Sequence, residues 1–189
     1  MTSLSFLGSS RWSVAANTLT ISRIAFAPVL AGMILYQNPW WVTFGLGWVL
    51  GVTDYIDGEL ARQAEPTRVG AFLDPLADKV LVLTAGFALV LAGLTHWLVP
   101  MLLIAARELG IQLYRSYWAR RSLAIPARKS AKYKTFAQGL AMSAALMPTL
   151  EPYPVVADVM LWMAVGFTLY SGAQYVLDGR AALRTTGTR

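Results

Sequence analysis

Four aspartates within a stretch of 25 residues, Asp54, Asp57, Asp74 and Asp78, are the side chains of this sequence best suited to chemistry. They lie in apolar surroundings, where an ionisable group costs about 2.5–3.5 kcal/mol on membrane-insertion scales, so their retention needs a reason. On a helix, Asp54, Asp57 and Ala61 share one face, with Gly58 between them, while Gly70, Asp74 and Asp78 recur every four residues on the face of a second helix. Only the short stretch from Gln63 to Val69 separates the two, so an antiparallel hairpin brings the faces together. Four carboxylates gathered in this way repel one another unless protons or cations intervene, and all-oxygen sites suit hard divalent ions, here Mg²⁺ or Mn²⁺. Zinc is disfavoured because the sequence has no cysteine and only one histidine, His96, which is predicted at the opposite membrane face. Four carboxylates can hold two ions, and paired ions suit a displacement at phosphorus by neutralising the attacking and leaving oxygens. Gly58, Ala61 and Gly70 add little bulk on these faces, which lets a nucleotide or phosphate approach the backbone. Helix capping and snorkelling would not require four acids phased on two facing surfaces.

The elements that must position these groups are membrane helices. Hydrophobic residues make up 56% of the 189 and charged residues 14%, a balance that excludes an ordinary soluble domain. The length fits one domain over residues 1–189. A bilayer core of about 30 Å needs roughly 20 apolar residues per helix. Six stretches qualify: Leu19 to Leu35, Trp40 to Leu60, Ala71 to Ala92, Trp97 to Trp118, Phe136 to Leu150 and Val155 to Leu177. The predicted fold is therefore all-α, a polytopic membrane protein with six transmembrane helices. Residues 1–14, with Leu4, Phe6, Leu7 and Trp12, are expected to lie along the interface, and no cleavable signal peptide is predicted. Pro75, next to Asp74, should free a carbonyl and bend the third helix.

The net charge of +6 does not point to nucleic acid, because its distribution is topological. No Lys or Arg falls within Tyr36 to Thr43, Ala92 to Pro100 or Leu150 to Asp158, whereas Arg62 to Lys79, Arg107 to Lys134 and the tail are basic. The positive-inside rule then puts both termini, the connection Ala119 to Lys134 and the acidic cluster on the cytoplasmic side of a multi-pass plasma (inner) membrane protein. Attraction to anionic lipid accounts for much of the basic run from Arg115 to Lys134. Arg107 and Lys134, each expected near the cytoplasmic end of a helix, differ in that they could bind the phosphate of an acceptor. Trp40, Trp41, Trp97 and Tyr153 are expected to anchor the opposite ends, and His96 to lie at that interface with no partner evident from sequence. A cation pathway through a transporter is the rival use of four acids. The acids crowd one face, however, and no ionisable residue continues the path across the predicted helices.

Asp54-Tyr55-Ile56-Asp57-Gly58-Glu59-Leu60-Ala61-Arg62 followed by Gly70-Ala71-Phe72-Leu73-Asp74-Pro75-Leu76-Ala77-Asp78 resembles the CDP-alcohol phosphotransferase signature DxxDGxxAR…GxxxDxxxD. Gln63 to Val69 is one residue shorter than the usual connection. Asn17-Thr18-Leu19-Thr20 with Arg23 is similar to the family's N-terminal NxLTxxR, with Ala16 in place of a usual proline. Ala106-Arg107-Glu108-Leu109, Lys132-Tyr133-Lys134-Thr135 with Gln138, and Tyr170-Ser171 resemble the branch that makes phosphatidylglycerophosphate, although Ala131 replaces a common glycine. The resemblance implies a homodimer that transfers a phosphatidyl group from CDP-diacylglycerol to sn-glycerol 3-phosphate, releasing CMP. Inositol phosphate and phosphatidylglycerol, the latter in a cardiolipin synthase of this family, are the alternative acceptors. It further implies that Asp54, Asp57, Asp74 and Asp78 ligate metal and that Asp78 is also the general base. Asn17, Thr20, Gly58, Ala61, Arg62, Thr67 and Gly70 would contact the CDP-alcohol, and Arg107, Lys132 and Lys134 the acceptor phosphate.

Single cysteines introduced into this cysteine-free chain test the orientation. A membrane-impermeant thiol reagent outside intact cells should label position 95 and spare position 125; the reverse pattern refutes the assigned topology.

Overall fold

The computed structural model describes residues 18, 21–37, 40–63, 68–119, 130–150 and 152–186, with side chains described outside 54–63, 68–78, 115, 118–119, 130–133 and 180–186. All regular structure among the described residues is helical: α1 (Ile21–Leu35), α2 (Trp40–Gln63), α3 (Arg68–Leu91), α4 (Leu98–Ala119), α5 (Ser130–Leu146) and α6 (Pro154–Thr186), with 3₁₀ turns at Thr95–Trp97 and Pro148–Leu150. Two compact units result, residues 1–95 with 146–148, and residues 96–145 with 149–189.

In the first unit α1 buries Arg23, Ala27, Leu30 and Ile34, a stripe at helical spacing, while Ile21, Phe26, Val29 and Leu35 face outward. Gly47 of α2 leaves room for Leu30 and Leu146, the side chains nearest to where its Cβ would stand. The helix assignment of α3 continues through Pro75. Gly93 adopts φ 131° after α3, and the Leu94 N–H donates back to the Leu89 carbonyl at 3.1 Å, satisfying one of the carbonyls that a helix end leaves open.

The second unit is built on α4 and α6, which run in the same direction. Trp97 meets Asp158, Arg107 meets Ser171, and Tyr114 stacks edge-on against Tyr175 with ring centroids 6.5 Å apart, so both residue numbers rise together. The return helix α5 is antiparallel to α6, since Lys134 reaches the Arg107–Glu108 level near Ser171 and Gln138 reaches Thr168. Glycines permit the close α4–α6 approach. A Cβ at Gly172 would stand 3.1 Å from Arg107 Nε, and one at Gly179 would collide with the Tyr114 hydroxyl. The spacing of seven from Arg107 to Tyr114 matches that from Gly172 to Gly179, so side chains two turns apart on α4 enter gaps two turns apart on α6.

The exterior is apolar: Leu102, Leu103, Leu109 and Leu113 of α4 and Val155, Val159, Trp162, Met163, Phe167 and Leu169 of α6 are exposed. Polar Glu108, Lys134, Gln138, Thr168 and Ser171 are buried. This reverses the arrangement of a soluble helical protein and suits a lipid solvent. Thr95–Tyr114 and Pro154–Gly179 are long and apolar enough to cross a bilayer, at 20 and 26 residues.

The boundaries depart furthest from the sequence expectation in the last two helices. The fifth helix starts at Ser130 instead of Phe136, so Lys132 and Lys134 belong to a helix and not to the basic connection. Lysine is a good helix former, and its long stem lets a helix carry its charge without breaking. The last helix continues beyond Leu177 to Thr186, because the polar sequence that ends the apolar stretch contains no proline to end the helix.

Gly179→Val should force the Tyr114 ring away from Tyr175 and lower the protein's stability by about 1–3 kcal/mol, the usual cost of overpacking. Thermal unfolding in detergent measures it, and an unchanged midpoint would mean that the α4–α6 seam opens freely.

Candidate functional site

A buried ionic cluster lies inside the second unit. The Glu108 carboxylate oxygen Oε1 accepts from the Lys134 ammonium at 2.5 Å and from Arg107 Nη1 at 3.2 Å. Glu108, Lys134 and Arg107 keep only 5%, 10% and 11% of their side-chain surface exposed, so solvent screens them little. Two cations from different helices thus share one carboxylate oxygen. Arg107 Nη2 donates to Ser171 Oγ at 2.9 Å, Ser171 Oγ donates to the Thr168 carbonyl at 3.0 Å, and Gln138 Nε2 donates to Thr168 Oγ1 at 3.0 Å. Arg107 Nε is buried against Gly172 without a hydrogen-bond partner among the described residues. A guanidinium and an ammonium held side by side are the donors that phosphate recognition uses.

Helix geometry places this cluster. Arg107 lies at the middle of α4 instead of near its cytoplasmic end, about 15 Å along the axis from Trp97. Lys134 and Gln138 are one turn apart on α5, and Thr168 and Ser171 one turn apart on α6. Toward the α4 N-terminus the interior becomes apolar, with Met101, Ile104, Leu161 and Ala164 fully buried.

At the far end of the same unit Asp158 accepts from Trp97 Nε1 at 2.6 Å and is 2.9 Å from His96 Nε2. His96 thus has a partner 62 residues away that local pattern could not reveal. Trp97 departs from its expected role: it is 1% exposed and serves the interior, whereas Trp40, Trp41 and Tyr153 are exposed as anchors should be.

The remaining expected site residues divide by helix. Positions 54, 57, 58, 61 and 62 fall on α2, and 70, 74 and 78 on α3, both helical throughout these positions. The i, i+3 and i, i+4 spacings therefore put Asp54 with Asp57, and Asp74 with Asp78, at shared-face positions. The side chains of Asp54, Asp57, Gly58, Ala61, Arg62, Gly70, Asp74, Asp78 and Lys132 lie outside those described, as do Asn17, Thr20 and Thr67 altogether. Of the expected acceptor-binding residues, Arg107 and Lys134 are brought together. Sequence reasoning gave no role to Glu108, and its expectation that no ionisable residue continues across the predicted helices fails at Arg107 and Glu108 in the middle of α4.

A family model described as CDP-alcohol phosphatidyltransferase matches residues 13–170. The chain belongs to this family. CDP-alcohol phosphatidyltransferases of three bacteria illustrate the likeness. A "Probable phosphatidylglycerophosphate synthase" of Mycobacterium tuberculosis is 34% identical across 95% of this chain and 87% of its own length. A "CDP-diacylglycerol--glycerol-3-phosphate 3-phosphatidyltransferase" of Bacillus subtilis is 35% identical across 90% of this chain and 97% of its own. The Haemophilus influenzae protein of the same name is 34% identical across 87% and 92%. Membership makes this chain a phosphatidyltransferase, and the matched region includes α2 and α3 with the aspartate positions as well as the Arg107–Glu108–Lys134 cluster.

Proposed function

We propose that the chain transfers the phosphatidyl group of CDP-diacylglycerol to sn-glycerol 3-phosphate, forming phosphatidylglycerophosphate and releasing CMP. The observation that carries this reading is the buried Arg107–Glu108–Lys134 cluster, in which an arginine and a lysine from two helices meet. A small acceptor whose phosphate must be held within an apolar protein needs such cations, with arginine supplying a fork and lysine a point charge. The names of the related proteins favour glycerol 3-phosphate over inositol phosphate or phosphatidylglycerol.

Four carboxylate positions, paired at i, i+3 on α2 and i, i+4 on α3, fit a divalent-metal centre by the chemistry of their donors. Asp54, Asp57, Asp74 and Asp78 would hold two Mg²⁺ or Mn²⁺ ions, which when bound neutralise charge developing at phosphorus. Asp78 is the general base and takes the proton of the acceptor hydroxyl. The hydroxyl oxygen forms the new bond to the lipid-proximal phosphorus as the bond to CMP breaks. Asn17, Thr20, Gly58, Ala61, Arg62, Thr67 and Gly70 bind the CDP-alcohol, and Lys132 joins Arg107 and Lys134 at the acceptor. Residues 1–189 act as one catalytic domain, supported by a family match that runs through both compact units. The apolar helix exteriors and one-sided basic residues support six transmembrane spans in the inner membrane, with both termini and the site cytoplasmic. The enzyme works as a homodimer, as the family resemblance implies.

CMP release by the purified protein with CDP-diacylglycerol should require glycerol 3-phosphate and proceed poorly with inositol phosphate or phosphatidylglycerol. Preference for another acceptor would replace the assignment. Ion flux across vesicles without consumption of CDP-diacylglycerol would instead identify a transporter.

A metal titration separates the aspartates. Asp78→Asn should keep donor binding but lose roughly 10²–10⁴-fold in turnover, as when a general base is removed. Asp57→Asn should recover part of its activity in excess Mg²⁺ or Mn²⁺. Near wild-type turnover of Asp78→Asn at saturating metal would leave Asp78 a ligand only.

A further inference from the structure

Glu108 is the one buried carboxylate among the described residues, and it binds both cations through one oxygen. It costs desolvation and offsets positive charge around it, so a site meant only to attract phosphate would be better without it. What it supplies is geometry. Arg107 and Lys134 come from different helices and, within a weakly screening interior, would drive each other apart. Arg107 is fixed on two further sides, by the Nη2 bond to Ser171 and by contact with the glycine surface at 172. Glu108 therefore ties the Lys134 ammonium of α5 to a guanidinium already seated between α4 and α6. The Gln138–Thr168 bond one turn deeper holds α5 to α6 independently. Loss of the carboxylate should then disturb the cations before it disturbs the helices.

We infer that Glu108 is a positioning residue for the acceptor phosphate, holding Arg107 and Lys134 together so that one phosphate meets both. This rests on the assignment of the cluster to glycerol 3-phosphate. Replacement by glutamine keeps shape and a carbonyl oxygen while removing the charge that joins the cations, and aspartate keeps the charge but shortens its reach. The split between acceptor and donor constants distinguishes positioning from general support of the fold, which would reduce the amount of active enzyme and leave both constants unchanged.

The experiment measures CMP release by Glu108→Gln, Glu108→Asp, Lys134→Gln and the Glu108→Gln/Lys134→Gln double variant, varying each substrate in turn. Glu108→Gln should raise the KM for glycerol 3-phosphate about tenfold or more and leave that for CDP-diacylglycerol within about twofold, with Glu108→Asp intermediate. Because Glu108 acts through Lys134, the double variant should be little worse than Lys134→Gln alone. An unchanged or lowered acceptor KM in Glu108→Gln, or additive losses in the double variant, overturns the inference while leaving the reaction assignment intact. Should Glu108→Gln not fold, a wild-type acceptor KM in Glu108→Asp overturns it equally. Absence of CMP release by the wild-type protein with glycerol 3-phosphate overturns both.

Discussion

A protein whose helices turn leucine, valine and tryptophan outward has nowhere to put a charge except at its ends or against another charge. In the second unit that constraint is met at one atom, Glu108 Oε1, which receives both the Lys134 ammonium and the Arg107 guanidinium. The surrounding polar groups follow from it. Ser171 Oγ accepts from Arg107 Nη2 and donates its own O–H to the Thr168 carbonyl, and Gln138 donates to Thr168 Oγ1 one turn further in. Removing one member of such a set leaves an uncompensated buried partner, which is far more costly than never having had the set.

The helices accommodate this cluster because α4 and α6 run parallel and close. Parallel neighbours need an intervening element to return the chain, and α5 does so while adding Lys134 and Gln138 to the same interior. Gly172 and Gly179 supply the space that long side chains of α4 occupy. A bulky residue at 172 would displace Arg107 itself, so the packing of the seam and the chemistry of the cluster cannot be varied separately.

Much of this could be read from the sequence, where one residue type at one spacing carried the information. The helical placement of the aspartate positions was legible, because spacings of three and four match one face of a helix. The helical class and most boundaries were legible from uncharged stretches broken by Pro and Gly. The start of α5 was not, because Lys132 and Lys134 look like a soluble connection until the chain folds and gives Lys134 a buried carboxylate. Nor was the pairing of His96 and Trp97 with Asp158, since contacts between α6 and the turn before α4 leave no local periodicity. Glu108 fell between these cases: its cost was visible, but its partnership with Lys134 depends on two helices meeting.

The length of α6 has a mechanical consequence. Its uncharged part, between Asp158 and Asp178, would measure about 28 Å along its axis, close to about 30 Å of hydrocarbon. A stiff rod that matches a layer stands upright in it, and a thinner layer would make it lean or would thicken around it. Thr168 and Ser171 ride on that rod, so in a bilayer the lipid thickness would bear on the wall of the cluster as a lever bears on its fulcrum.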